Sequence, residues 1–86
     1  MVKRAGAYRE IVAHVVRGTD SMGRSKLQVR PLHGQGVDVN LNIECARKLR
    51  EDYPVGTRFR LRVQLTDMDG TSFLYSYFGW PVEVLP

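Results

Sequence analysis

Three arginines at the start of the last third of the chain form its clearest chemical pattern. Arg58, Arg60 and Arg62 alternate with apolar residues over residues 57–65, as in a half-buried strand. On a strand these arginines share one face at intervals of about 6.8 Å. Guanidinium groups bind phosphate oxygens in a bidentate geometry. The spacing therefore predicts a linear cationic surface suited to the phosphates of a nucleic acid, such as single-stranded DNA or RNA.

Aromatic side chains join this surface in only one of two possible hairpin registers. A two-residue turn at residues 69–70 places Tyr75 and Tyr77 on the cationic face, with Tyr77 beside Arg62, where bases can stack. A three-residue loop at residues 68–70 turns both tyrosines into the core. An aspartate at the first turn position favours the three-residue loop. The candidate nucleic-acid-binding residues are Arg58, Arg60, Arg62, Tyr75 and Tyr77, with support from Arg9, Arg17, Lys26 and Arg30.

The same arginine face also has a purely structural interpretation. Carboxylates at Glu10, Asp38 or Glu83 would pair with the arginines across strands and leave a solvated outer surface. Both interpretations stay open at the level of sequence.

An apolar strip between residues 71 and 78 suggests a second kind of surface. In the three-residue-loop register Leu74 and Phe78 face outward, and such strips are usually covered by another element or another subunit. Trp80 has the residue type that often dominates interfaces, although it also suits the end of a barrel. The alternative function is therefore a homo-oligomerising adaptor or inhibitor, with Leu74, Phe78 and Trp80 at its interface.

Motifs for catalysis or metal binding are weak in this sequence. Residues 18–25 approach the nucleotide-binding P-loop, but Arg24 replaces the required lysine and no helix pattern follows. Residues 67–70 begin like a calcium loop, but Phe78 stands where the loop needs glutamate. Both segments are interpreted as turns.

The remaining reactive side chains also lack a motif. His14, His33 and Cys45 have no spacing typical of a metal site. Cys45 lies near the N-terminus of a predicted helix, where thiols can be activated, but we interpret it as a small buried thiol opposite Leu49. We therefore expect no metal, no cofactor and no enzymatic activity.

Length and composition favour a single small domain. The chain has 86 residues, of which 43% are apolar and 26% charged, as in ordinary globular domains. We expect a flexible basic arm at residues 1–7 and one β-barrel domain at residues 8–86. The lack of a long apolar run and the single cysteine favour a cytoplasmic protein that does not bind membranes.

The charged residues are unevenly distributed along the chain. Residues 1–30 contain seven basic and two acidic residues, whereas residues 63–86 contain three acidic residues and no basic one. This polarity favours an anionic partner near the first half of the chain.

Hydrophobic periodicity predicts the elements that position these residues. Strands are expected at residues 8–17, 26–32, 37–43, 57–65, 71–78 and 82–85, and a helix of about two turns at residues 44–52. The first segment also fits a helical stripe, but its β-branched residues favour a strand. The clearest alternation lies at residues 37–43.

This order of elements resembles the oligonucleotide/oligosaccharide-binding fold (OB-fold), a five-stranded Greek-key barrel. The resemblance covers residues 8–85 and is architectural. It implies a mostly β (α+β) fold, namely a five- to six-stranded antiparallel barrel with one short helix between the third and fourth strands. An SH3-like barrel, or a sheet completed by a second copy of the chain, fits much of the same pattern.

Overall fold

Six strands and one short helix make up the computed structural model, which describes residues 2–86 and the side chains of residues 8–86. In chain order the elements are β1 (Val2–Thr19), β2 (Ser25–Pro31), β3 (Ile43–Glu44), α1 (Lys48–Glu51), β4 (Arg58–Met68), β5 (Thr71–Tyr75) and β6 (Val82–Leu85). The predicted mostly β class is confirmed. The short helix lies between the third and fourth strands, and residues 8–17 form a strand, as expected.

β4 is the central strand of the sheet. The strand order is β2-β1-β4-β5-β3, and β6 also pairs with β4. Gln64 of β4 lies opposite Tyr75, and Leu61 lies opposite Val82. β5 and β6 therefore follow one another along the same edge of β4, and residues 76–81 leave the sheet between them.

The sheet is mixed and is not closed into a barrel. β3 pairs with β5 in parallel, with Ile43 opposite Leu74, so the prediction of a wholly antiparallel sheet is wrong at this pair. β2 and β3 approach each other at the two ends of the strand order. There, Arg30 Nη1 donates a hydrogen bond to the backbone oxygen of Asn40 at 3.1 Å, but no ladder joins the two strands in the described part of the chain.

Residues 37–42, predicted as most of the clearest strand, form a local turn instead. The Asn40 N–H donates to the Asp38 carboxylate at 2.8 Å, and the Leu41 N–H donates to the Asp38 carbonyl at 3.2 Å. Aspartate and asparagine side chains compete in this way with a strand ladder. Only Ile43 and Glu44 of this region remain in the sheet.

The helix is shorter than predicted because the sheet holds the residues that precede it. The Ser76 N–H donates to the carbonyl of Glu44 at 2.8 Å, which keeps that residue extended. Helical hydrogen bonds then begin at Ala46, which accepts from Leu49 at 3.0 Å. A single helical turn, Lys48–Glu51, results.

The apolar core lies on one side of β1 and β4. Phe59 and Leu61 of β4 and Ile11, Ala13 and Val15 of β1 are buried, and the residues that alternate with them face outward. Full burial of side chains of this size is worth about 1.5–3 kcal/mol each. The core therefore fixes which face of β4 carries the arginines.

The N-terminal residues continue β1 in the backbone. Residues 2–5 pair with β4, and the register then shifts between Ala5 and Arg9. Met1 and the side chains of residues 2–7 lie outside the described part, so the expected flexible basic arm stays a prediction.

Candidate nucleic-acid interface

A two-residue turn sets the register of the β4–β5 hairpin. Asp69 and Gly70 have φ values of 52° and 83°, as a type I′ turn requires. Met68 lies opposite Thr71 as a result. The preference for a three-residue loop was wrong because aspartate tolerates the left-handed conformation, and Asp-Gly is a strong signal for this turn.

This register separates the two tyrosines predicted to bind nucleic acid. Tyr75 lies opposite Gln64 and is half-buried. Tyr77 has no partner residue in the sheet, because β5 ends at Tyr75. It is 42% exposed, and the centre of its ring lies 5.8 Å from that of Trp80.

The three residues of the predicted apolar interface also separate. Leu74 is only 2% exposed and belongs to the core, because the observed register turns it inward and not outward as expected. Phe78 is 77% exposed. Trp80 is half-buried and packs against other aromatic rings. No continuous strip of these three residues exists.

Trp80 is the centre of an aromatic cluster that comprises Tyr8, Tyr75, Tyr77 and Trp80. The ring centres of Tyr8, Tyr75 and Tyr77 lie 4.4, 6.2 and 5.8 Å from that of Trp80, each in an edge-to-face arrangement. Such contacts add about 0.5–1.5 kcal/mol each to the burial of the rings. The cluster joins β1, β5 and the segment between β5 and β6.

The segment of residues 76–81 brings the tryptophan into this position. The Trp80 N–H donates to the carbonyl of Tyr77 at 3.0 Å, which closes a tight turn. A Cβ atom at Gly79 would collide with the Tyr77 ring. The glycine is therefore needed for the close approach of the backbone to the tyrosine.

Sequence reasoning missed Tyr8 as a member of the cluster. Tyr8 is 53% exposed and lies where the β1–β4 register shifts. Its contact with Trp80 joins residues far apart in the chain, and no local pattern encodes it.

The three arginines of β4 face outward, but their surroundings differ. Arg60 Nη1 donates to Glu83 Oε1 at 2.9 Å, and its Nε lies 3.8 Å from Glu10 Oε1. Both carboxylates come from the neighbouring strands, β6 and β1. Among the described side chains, Arg58 and Arg62 form no ion pair. The outer two arginines are thus available to an anion, and the central one is neutralised.

A histidine adjoins the Arg58 end of the arginine row. His14 lies opposite Arg58 on one side and opposite Arg30 of β2 on the other. Burial lowers the pKa of His14 below its usual value of 6.5, and the charges of Arg58 and His33 lower it further. His14 is therefore neutral at pH 7.

The supporting cations predicted from the sequence do not all share this face. Arg9 and Arg17 are an even number of positions from the inward-facing Ile11 on β1. They therefore lie on the same side of the strand as Ile11, opposite to the arginine face. Lys26 and Arg30 of β2 lie opposite Gly18 and His14, which are on the outward side of β1. Of the four, Arg30 lies next to the candidate interface.

Cys45 lies away from the arginine face, at a groove between α1 and β6 with a volume of about 200 Å³. Burial raises the pKa of the Cys45 thiol to about 11. A protonated thiol is a poor nucleophile, which favours the interpretation of Cys45 as a packing residue.

Within the described residues, no three side chains of the histidine, cysteine, aspartate and glutamate types converge to hold a metal ion. No helix in that part of the chain is long and apolar enough to cross a membrane.

Comparison with known proteins gives no match: no protein-family model, no curated protein and no solved structure matches the chain. The candidate interface consists of an outward row of arginines with the aromatic cluster at one end and His14 at the other.

Proposed function

We propose that the protein binds single-stranded nucleic acid through the outer face of β1 and β4. The observation that carries the proposal is the adjacency of free cations and exposed aromatic rings. Gln64, opposite Tyr75, lies two positions from Arg62 on the same strand, a distance of about 6.8 Å. Proteins that bind single strands combine a cationic path for the backbone with rings on which bases stack.

The aromatic cluster retains surface for such stacking. Tyr8 and Tyr77 are 53% and 42% exposed, and their edge-to-face packing on Trp80 leaves parts of the rings open to solvent. Each stacked base contributes about 1–3 kcal/mol. A few bases at the cluster and two phosphates at the arginines would give a sequence-tolerant site.

The proposed architecture is an open relative of the OB-fold. Its support is the single helix between the third and fourth strands, and the approach of β2 to β3 at the ends of the sheet. OB-folds are partly open Greek-key barrels, and many bind oligonucleotides on one face.

The ion pairs of Arg60 determine the expected salt dependence. Among the described side chains, Arg58 and Arg62 form no ion pair, although Glu10, which binds Arg60, lies opposite Arg62 in the β1–β4 register. For single strands, each neutralised phosphate changes the slope of log K against log salt by about −0.7. Two contacts give about −1.4, and three would give about −2.1.

Fluorescence anisotropy with a labelled oligothymidine tests the proposal. The variant Arg58→Ala/Arg62→Ala should weaken binding roughly tenfold or more, since hydrogen bonds to charged groups are worth about 1.5–3 kcal/mol each. The matched control, Arg24→Ala/Arg47→Ala, removes the same charge from arginines that pair with Asp20 and Glu51 elsewhere. Its affinity should stay within about twofold of the wild type.

Three outcomes would contradict the proposal. The wild type could fail to bind the oligonucleotide at low salt. Both double variants could lose affinity equally, which would implicate net charge and not this face. A preference for duplex over single-stranded DNA would contradict the role of the aromatic cluster, because paired bases cannot stack on its rings.

The edge strand β6 supports a second candidate function, self-association. In the described part of the chain β6 pairs only with β4, and Val82, Val84 and Phe78 are exposed. Unpaired strand edges readily pair with another chain. We propose as the alternative that two copies join through β6 and Phe78, as in an adaptor or inhibitor.

Size-exclusion chromatography with light scattering separates the two candidates. A wild-type dimer that becomes monomeric in Phe78→Asp would support self-association. A strict monomer for both proteins would contradict it and leave the nucleic-acid proposal intact.

A further inference from the structure

Three nitrogen-bearing side chains converge at the Arg58 end of the arginine row. His14 of β1 lies directly opposite Arg58 of β4. His33, in the loop after β2, is close enough for its charge to act on His14. Arg58 and His33 also line a shallow cavity of about 470 Å³, together with Val12, Leu85 and Pro86. His14 does not line this cavity itself, but it adjoins Arg58 across the β1–β4 pairing.

Among the described side chains, no carboxylate forms an ion pair with this group of side chains. The charged or titratable groups facing His14 are Arg30 from β2, Arg58 from β4 and His33 from the loop. The closest carboxylates on the neighbouring strands, Glu10 and Glu83, both bind Arg60. Like charges on adjacent strands repel, and a bound anion would relieve that repulsion.

The loop that carries His33 is held against β1 by a glutamine side chain. Gln35 Nε2 donates to the carbonyls of Val12 at 2.7 Å and Leu32 at 3.0 Å, and its Oε1 accepts from the Val12 N–H at 2.6 Å. These bonds occupy the Gln35 amide, so it is not itself a ligand. They fix the loop in advance, which lowers the entropic cost of binding.

We infer that Arg58, His14 and His33 form a binding site for one phosphate group of the bound strand, and that protonation of His14 strengthens this binding. The inference rests on the proposed function for the identity of the ligand. The shared chemistry is a tetrahedral oxyanion, held by the Arg58 guanidinium and by imidazole N–H groups.

Protonation of His14 and binding of the phosphate should strengthen each other. Burial, Arg58 and His33 all oppose a charge on His14 and lower its pKa. A bound anion offsets the two positive neighbours, so it must raise that pKa. By linkage, His14 protonation must raise the affinity for the anion by the same factor. Binding should therefore strengthen as the pH falls below about 6.5.

Sulfate is the appropriate first probe, because its charge stays constant between pH 5 and pH 8. The experiment follows the imidazole signals of the full chain by NMR while sulfate is added at several pH values. We expect sulfate to raise the pKa of His14 and to bind more tightly at pH 5.5 than at pH 7.5. His14→Gln should reduce this pH dependence, and the double variant His14→Gln/His33→Gln should remove it. Arg58→Gln should weaken sulfate binding at least tenfold.

Further variants separate loss of the anion site from a general loss of charge or of folding. Arg62→Gln lies on the same face but outside the site, so it should leave sulfate binding unchanged while weakening oligothymidine binding. His33→Gln should weaken sulfate binding without unfolding the loop, because Gln35 holds the loop. Circular dichroism of each variant checks that the sheet remains folded.

A second titration, with an oligothymidine that has no terminal phosphate, separates this inference from the proposed function. Tighter oligothymidine binding at pH 5.5, reduced in His14→Gln and lost in His14→Gln/His33→Gln, supports both. Sulfate binding with the expected pH dependence but no oligothymidine binding would overturn the proposed function and leave an oxyanion site. Oligothymidine binding that does not depend on pH, with no sulfate effect on His14, would overturn the inference alone.

Discussion

Arg60 carries the same side chain as Arg58 and Arg62, but two carboxylates lie against it. Its contacts with Glu83 at 2.9 Å and Glu10 at 3.8 Å are exposed ion pairs, which typically contribute at most about 1 kcal/mol to stability. Their main effect is on the availability of the arginine. The two glutamates therefore limit how many arginines of the row can contact phosphates.

Removing both carboxylates should release the central arginine. We expect Glu10→Gln/Glu83→Gln to tighten oligothymidine binding and to change the salt slope from about −1.4 to about −2.1. Anisotropy at several salt concentrations measures both quantities.

The control is Asp20→Asn/Glu51→Gln, which makes the same charge change beside Arg24 and Arg47. An equal gain in affinity for the control would mean that overall charge is responsible. An unchanged slope in the test variant would mean that Arg60 does not reach a phosphate even when it is unpaired.

Cys45 allows a separate test of burial at the residue scale. Because burial raises its pKa to about 11, its thiolate population at pH 7.5 should be about 300-fold lower than that of a free cysteine. Alkylation by iodoacetamide should be slow and should accelerate about tenfold per pH unit up to pH 10. Mass spectrometry measures the rate.

The same chain in concentrated urea serves as the control, because an unfolded cysteine titrates near 8.5. Its alkylation rate should level off above that pH. A plateau near pH 8.5 in the folded protein would show that the thiol is accessible to water.

At the scale of elements, local patterns predicted the strands that carry the site. The alternation through Phe59 and Leu61 places the arginines of β4 on the outer face, and both residues are buried. The same reasoning failed at residues 37–42, where hydrogen bonds to Asp38 replace a ladder. Alternation reports which residues suit a strand, but not whether a neighbouring strand is available to pair.

The register of the β4–β5 hairpin could not be decided from the sequence pattern alone. A slip of one residue exchanges the two faces of a strand, and Asp69 suits the first position of one turn and the left-handed position of another. The contact of Tyr8 with Trp80 lay beyond prediction altogether. It depends on the β1–β4 pairing and on the path of residues 76–81, which no local pattern determines.

The β4–β5 turn gives a prediction at this scale. Gly70 has φ of 83°, and a side chain in that conformation costs about 1–2 kcal/mol. Gly70→Ala should lower the free energy of unfolding by about that amount in urea titrations. Gly70→Asn should lose less, because asparagine tolerates the left-handed region. Equal stability of all three proteins would argue against the two-residue turn and the register that it sets.

At the scale of the whole molecule, the fold redistributes charge that is segregated along the sequence. The acidic last third of the chain returns to the basic strand β4, where Glu83 neutralises Arg60. The formal net charge is +4, and Arg58 and Arg62, which form no ion pair among the side chains of residues 8–86, lie on one face. A field of this kind attracts anionic partners at long range and is screened by salt.

The central position of β4 also determines how the sheet opens to solvent. β1 covers one of its edges, and β5 and β6 together cover most of the other, so its backbone amides become free only when the whole sheet separates. In deuterium exchange followed by NMR, amides of residues 59–65 should be protected nearly to the global limit. Amides of β2 and β3 should exchange earlier. These strands lie at the two ends of the sheet, where no ladder joins them in the described part of the chain, so they can fray. Uniform protection across all strands would instead indicate that these two strands are joined in solution.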